Sequence, residues 1–203
     1  MELNQKTLKK AYNYLSKDDC LNHLILKFSD VIDISERYNE NYAKALAYLI
    51  IEQQVSFKAA ITIKKRFSDM ITDLSNNEIL KLDNLQSIGI SYRKVSYIQN
   101  VYNYFQDSKY DFTSASNKDV ITELVTIKGI GLWSAQMFLI FVLMRIDIFS
   151  PGDLALMNSL KINYKIDINN KKTVESLVEQ WSPYKSVASL LLWKSIEEKY
   201  YYS

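Results

Sequence analysis

Glycine and proline are where a chain turns, and this one has almost none: four glycines and two prolines in 203 residues. A β-rich fold needs turn residues between its many strands, because tight hairpins demand left-handed φ angles and proline-fixed corners. So few of either steers the chain towards helices. Apolar spacing agrees. It recurs in helical steps through Leu8, Ala11, Tyr12 and Leu15, through Leu21, Leu24, Ile25 and Phe28, and through Tyr42, Ala45, Leu46, Leu49 and Ile50, each stripe marking one buried face. No sustained period-2 alternation, internal repeat or low-complexity linker interrupts the pattern. Ser56 before FKAAITIKKRF, Ser91 before YRKVSYIQNVYNYF and Asn117 before KDVITELV read as N-caps, each accepting a bond from an orphan amide. An all-α fold of about ten short helices is expected.

Composition narrows the class. At 48% hydrophobic and 24% charged residues, the chain can bury a core of one domain, at most two, and is not disordered. Cys20 is the only cysteine, so neither an intramolecular disulfide nor a cysteine-only zinc or iron–sulfur site can form, which suits a reducing cytoplasm. MELNQKTLKKAYNYL lacks the apolar core of an export signal, and no run of about eighteen apolar residues occurs. A cytoplasmic chain, nucleoid-associated if bacterial and making no membrane contact, is expected. Its 25 basic and 23 acidic residues leave a net charge of +2. Affinity for phosphates must therefore come from local clustering. The abundance of Lys, Asn, Ile and Tyr, with Arg scarce, equally fits an AT-rich coding bias.

The glycines concentrate where they matter. VITELVTIKGIGLWSAQMFLIFVLMR reads as a short amphipathic helix, a Gly-x-Gly turn through Gly129 and Gly131, and a second helix apolar on nearly all sides. Two glycines so close together serve a backbone purpose, either positive φ or close approach of another group. A glycine turn opening into a helix points backbone N–H groups outward at the positive end of the dipole and suits a phosphate, with Lys128 beside it. An ordinary packing hairpin would look the same. Farther on, Asp153 follows Pro151-Gly152 and precedes LALMNSL, the position of a helix N-cap. That capping duty is compatible with chemistry, since amides at a helix start stabilise an ionised carboxylate.

The stretch LVTIKGIGLWSAQMFLIFVLMRIDIFSPGDLAL, extended upstream to LAYLIIEQQVSFKAA and GISYRKVSYI and downstream to WSPYKSVASLLLWKS, resembles the helix–hairpin–helix DNA glycosylase superfamily. Within it the likeness is to the 3-methyladenine (alkylpurine) DNA glycosylase branch, the AlkA/Mag type. The resemblance spans roughly residues 45 to 195. It implies two helical subdomains flanking a DNA-binding cleft, one of residues 1–40 plus 146–203 and the other of 41–145, without the N-terminal β-domain of some members. It makes Asp153 the catalytic residue, stabilising positive charge that develops on the sugar as an N-glycosidic bond breaks and orienting or deprotonating the attacking water. It implies a monofunctional enzyme, because members that also cut the backbone carry a Schiff-base Lys where Trp133 stands.

By the same resemblance Trp133 and Trp193 line the base pocket, attracting a cationic alkylpurine, with Met137 and Leu154 where some relatives carry tyrosines. Core packing is the alternative for both tryptophans. Gln54 would be the wedge filling the gap left by a flipped base, with Gln53 its neighbour; a polar helix end is the alternative there. Phosphates would be gripped by Lys128, Gly129 and Gly131, and by Arg93, Lys94 and Lys185, each of which also reads as a solvated surface charge. His23 is assigned a structural or surface role. The expected partner is double-stranded DNA containing damaged bases, bound by a monomer, and no cofactor or metal is expected beyond a monovalent cation on the hairpin carbonyls. A non-catalytic helix–hairpin–helix DNA-binding protein is the main alternative, and a helical protein-interaction domain the third.

Overall fold

The computed structural model describes residues 2–35 and 37–202, apart from the side chain of Phe57. The described chain contains eleven α-helices: α1 Gln5–Leu15, α2 Asp19–Phe28, α3 Tyr42–Glu52, α4 Phe57–Ile71, α5 Asn76–Leu80, α6 Tyr92–Asp107, α7 Asn117–Leu124, α8 Leu132–Phe141, α9 Leu154–Tyr164, α10 Lys171–Glu179 and α11 Lys185–Glu197, with a 3₁₀ turn at Leu85–Ile88. Extended pairing among the described residues is limited to an isolated bridge between Glu2 and Arg145. The fold is all-α, as the spacing of apolar residues requires.

Capping follows the sequence with one correction. Ser56 accepts from the Ala59 amide at 3.3 Å and Ser91 from the Lys94 amide at 3.4 Å. The cap of α7 is Ser116 rather than Asn117, which is the first helical residue. The Ser116 hydroxyl accepts from the Asp119 amide at 3.2 Å and donates to the Asp119 carboxylate at 2.6 Å. An Asp three residues after the cap makes this reciprocal pairing possible, and it outcompetes the single bond that Asn117 offers.

The chain divides into two compact units, Met1–Arg37 with Leu139–Ser203, and Tyr38–Phe138. The division falls inside α8, whereas the sequence suggested one after residue 145. α8 is apolar on nearly all sides, and Ala135, Met137, Phe138, Leu139 and Ile140 are all at most 1% exposed.

In the first unit α9 and α11 pack across a small polar layer. Ser159 and Ser195 hydroxyls lie 2.9 Å apart, and Asn163 Nδ2 donates to each at 3.0 Å. Ser159 also donates to the Leu192 carbonyl at 2.9 Å. These buried polar groups are mutually satisfied, so they add specificity where an unpaired group would cost about 1–3 kcal/mol. The first turn of α11 pins the connector before α9. Ser186 donates from its amide to Ile146 O at 3.0 Å and accepts from the Ile148 amide at 3.0 Å. Asp147 accepts from the Ser182 hydroxyl at 2.8 Å and the Lys185 amide at 3.3 Å. The segments WSPYKS and IDIFSPGD are thus two halves of one local structure.

In the second unit α3 packs on α6, and Leu46 and Ile50 of α3 and Ile98, Val101 and Tyr102 of α6 are all buried. Tyr42, Phe112 and Phe138 form an edge-to-face cluster beside them.

Candidate functional site

The hairpin between α7 and α8 belongs to the second unit and is built from three directions. Gly129 has φ +110°, and a Cβ there would stand 2.3 Å from Cγ of Tyr97. Both purposes foreseen for a glycine meet at this residue: left-handed backbone and close packing. Gly131 has neither, with nothing within 4 Å of where its Cβ would be. The space beside it is open. One turn beyond Tyr97 on α6, Asn100 donates to the Lys128 carbonyl at 3.0 Å. From the end of α3, Gln53 Nε2 donates to the Gly129 carbonyl at 3.0 Å and the Ser134 hydroxyl at 3.1 Å. Two carbonyls of the turn are therefore taken by side-chain amides. The N–H groups of Gly129 and Gly131 find no acceptor among the described residues, which leaves them available to an anion at the start of α8.

The basic residues separate into two sets. Lys128 and Arg93 are exposed and have no ion-pair partner among the described residues. Lys94 is turned inward, donating to the Ile51 carbonyl at 2.8 Å at the C-terminus of α3, where a cation suits the dipole. Burial, with Arg93 beside it, moves its ammonium below the usual lysine range. Lys185 forms an ion pair with Glu179 at 2.6 Å. Gln53 and Gln54 also part ways. Gln53 anchors the hairpin, while Gln54 is exposed at the tip between α3 and α4 with φ 55°, an unusual conformation for a residue with a side chain and one often kept at functional positions.

Asp153 belongs to the first unit and caps α9. Its Oδ1 accepts from the Leu156 amide at 2.9 Å and from the indole Nε1–H of Trp193 at 3.0 Å. The residue is 9% exposed, but its neighbours Pro151, Gly152 and Leu154 are all exposed, Leu154 to 80%. The carboxylate therefore lies at the margin of the unit, beneath its surface. Two donors at the N-terminus of α9 fix its orientation. Trp193 stands forty residues away in sequence, so the bond it makes was not foreseen; the sequence offered a pocket wall and the structure adds an indole donor.

The remaining pocket candidates are spread over both units. Trp133 is half-buried on α8, and Met137, four residues on, shares its helix face but is 1% exposed. His23 stacks on Tyr200, ring centroids 4.8 Å apart. A cavity of about 510 Å³ in the second unit is lined by Tyr110, Asp111, Ser114, Asp119, Thr122 and Glu123. Its acidic walls oppose phosphate. Among the described residues no group of three or more His, Cys, Asp or Glu side chains could hold a metal ion, and no helix is long and apolar enough to cross a membrane.

The family model for HhH-GPD superfamily base excision DNA repair proteins matches residues 47–183. The DNA-3-methyladenine glycosylase of Saccharomyces cerevisiae is 32% identical over 197 residues, an alignment covering 76% of this chain and 67% of that protein. A putative DNA-3-methyladenine glycosylase of Bacillus subtilis is 30% identical over 162 residues, covering 73% of this chain and 56% of its own length. The chain thus spans only part of these curated relatives. A solved structure of Schizosaccharomyces pombe 3-methyladenine DNA glycosylase in complex with abasic DNA is 26% identical, with a TM-score of 0.83, covering 93% of this chain and 97% of that one. Because the matched segment runs from within α3 through the hairpin and Asp153 to the turn before α11, the chain belongs to the HhH-GPD superfamily of base excision DNA repair proteins.

Proposed function

We propose that this protein is a monofunctional DNA glycosylase that hydrolyses the N-glycosidic bond of alkylated purines, such as 3-methyladenine, in duplex DNA. The observation that carries the reading is the carboxylate of Asp153, held by the Leu156 amide and the Trp193 indole at the surface margin of its unit. As the bond between C1′ and the purine nitrogen lengthens, positive charge grows on the sugar, and a fixed carboxylate beside C1′ stabilises it. Water then adds to C1′ and gives up a proton, which Asp153 accepts or directs. A purine alkylated on a ring nitrogen is already cationic, so it departs neutral and needs little help from an acid. His23, stacked on Tyr200, is not required.

The base must leave the stack to be reached, at a cost of a few kcal/mol. Gln54, exposed and left-handed at its loop tip, is the wedge that fills the gap. The amides of Gly129 and Gly131, with Lys128 and Arg93, grip the backbone. Lys94 and Lys185, engaged with Ile51 and Glu179, are released from that list. Trp133 offers an aromatic face to the cationic base, as does Trp193, while exposed Leu154 supplies apolar contact; Met137, 1% exposed, is taken up by the core. A tryptophan has no amine for a Schiff base, so the abasic site is left uncut. A monovalent cation on the hairpin carbonyls would compete with Asn100 and Gln53 for Lys128 O and Gly129 O, and no step above needs one. The protein acts as a monomer.

A duplex carrying 3-methyladenine tests this directly. Asp153→Asn is expected to bind the duplex as the parent does and to lose about a hundredfold or more in excision rate. Undiminished release by that variant, or a borohydride-trapped protein–DNA adduct, would overturn the reading in favour of another catalytic group. A parent protein that binds DNA and releases no base would favour the non-catalytic alternative.

A further inference from the structure

Trp193 donates to Asp153 from a half-buried position, which raises the question of what keeps its indole from swinging. The protein contains an informative contrast. Trp181 makes a similar bond, Nε1–H to Asp18 Oδ2 at 3.3 Å, but is 1% exposed, so packing on every side fixes its ring. Trp193 lacks that enclosure. The Ser159–Asn163–Ser195 layer links α9 to α11, and Trp193 packs only in part against the core of its unit. Its indole also meets Phe141 at the end of α8, with ring centroids 5.4 Å apart and planes inclined by 32°. Phe141 in turn carries the guanidinium of Arg37, whose carbon lies 4.0 Å from the ring centroid.

We propose that Arg37 and Phe141 are positioning residues for Asp153, acting through the indole of Trp193. The cation holds the benzene ring by its electron-rich face. The ring is a wall that fixes the tilt of the indole, and the indole N–H then fixes which orientation the carboxylate keeps. None of the three needs to touch the sugar. This inference rests on the assignment of Asp153 above. It predicts that a residue from the segment between α2 and α3 and another from the end of α8 tune the rate of bond cleavage without contributing to DNA affinity.

Single-turnover excision of 3-methyladenine from a duplex, with duplex affinity measured separately, separates the two contributions. Trp193→Phe, which keeps a ring and deletes the donor, is expected to lose on the order of tenfold or more in rate, as removal of one hydrogen bond to a charged group implies. Phe141→Leu should lose about tenfold through misplacement of the carboxylate. Arg37→Met should lose roughly threefold, and Arg37→Lys, which keeps a cation over the ring, should recover most of that. Duplex affinity should stay within about twofold in the Phe141 and Arg37 variants, as removing a catalytic-step contact without a binding contact requires. Arg37 is not in the core, so Arg37→Met and Arg37→Lys remain informative if Phe141→Leu folds poorly. Parental rates in Arg37→Met and Phe141→Leu, or losses confined to affinity, would overturn the positioning role while a slow Asp153→Asn left the catalytic assignment standing. Parental rates in Asp153→Asn would sink both.

Discussion

Two aspartates show at the scale of single residues how like geometry serves unlike ends. Asp18 and Asp153 each cap a helix and each accept an indole N–H. Asp18 also takes the Tyr164 hydroxyl, at 2.9 and 3.0 Å to its two oxygens, and the Leu21 amide at 2.9 Å. It ties α2 to the far end of the chain. Deleting it leaves the fully buried Trp181 N–H and the Tyr164 hydroxyl without their acceptor and removes a cap. Asp18→Ala should therefore cost about 3 kcal/mol of stability, read from urea unfolding, while the rate of the material that remains folded is unchanged. Asp153→Asn should show the reverse pattern, a stability near the parent's and a collapsed rate. If both variants lose stability and neither loses rate, Asp153 is a cap and nothing more.

The elements divide labour in the hairpin. α6 supplies the floor, Tyr97 beneath Gly129 and Asn100 on the Lys128 carbonyl, and α3 supplies Gln53. The two glycines then have separable duties. Gly129→Ala forces a methyl into Tyr97 at a φ that side chains disfavour, so a loss of at least about 2 kcal/mol is expected by thermal or urea unfolding. Gly131→Ala meets open space and should change stability by no more than about 0.5 kcal/mol. Its methyl would nevertheless stand beside the amides that receive a phosphate, so duplex affinity should fall. Equal stabilities for the two variants would mean that Tyr97 yields freely and the hairpin is not built on that contact.

Across the whole molecule the phenols dominate the response to base. Burial pushes the Tyr12 hydroxyl from its ordinary value of 10 up to about 12, with Asp30 adding to the effect. Burial and a hydrogen bond to Glu123 raise Tyr104 to about 12, and burial raises the Cys20 thiol from 9 to about 12. Tyr102 and Tyr164 are raised as well, burial being the main cause. Each of these groups is neutral in the folded state at pH values where the unfolded chain would release its proton. The stability they supply is fully present below about pH 9 and is lost as pH climbs through the folded values near 12. The urea midpoint should stay level up to about pH 9 and then fall, with the absorbance of these four buried tyrosinates appearing together with unfolding rather than before it. Free ionisation of all tyrosines near pH 10 in a folded protein would contradict these burials.

Helix class, most caps, the glycine turn and the Asp that opens α9 could be read from the sequence, because each is encoded within a turn or two of backbone: apolar residues recur every three or four positions, and a cap needs only its own side chain and the amides just after it. Even the misplaced cap of α7 erred by one residue. What the tertiary structure alone decided are pairings between distant positions. Gln53 read as the neighbour of a wedge and proves to anchor the hairpin at Gly129. Lys94 and Lys185, by sequence either phosphate ligands or solvated surface charges, meet the Ile51 carbonyl and Glu179. Trp193 read as a pocket wall and also donates to Asp153, with Phe141 and Arg37 behind it. The physical reason is one of range: local sterics and hydrogen bonding select the helices, but which long side chain meets which partner depends on how helix faces pack against each other, and no periodicity in the chain records that.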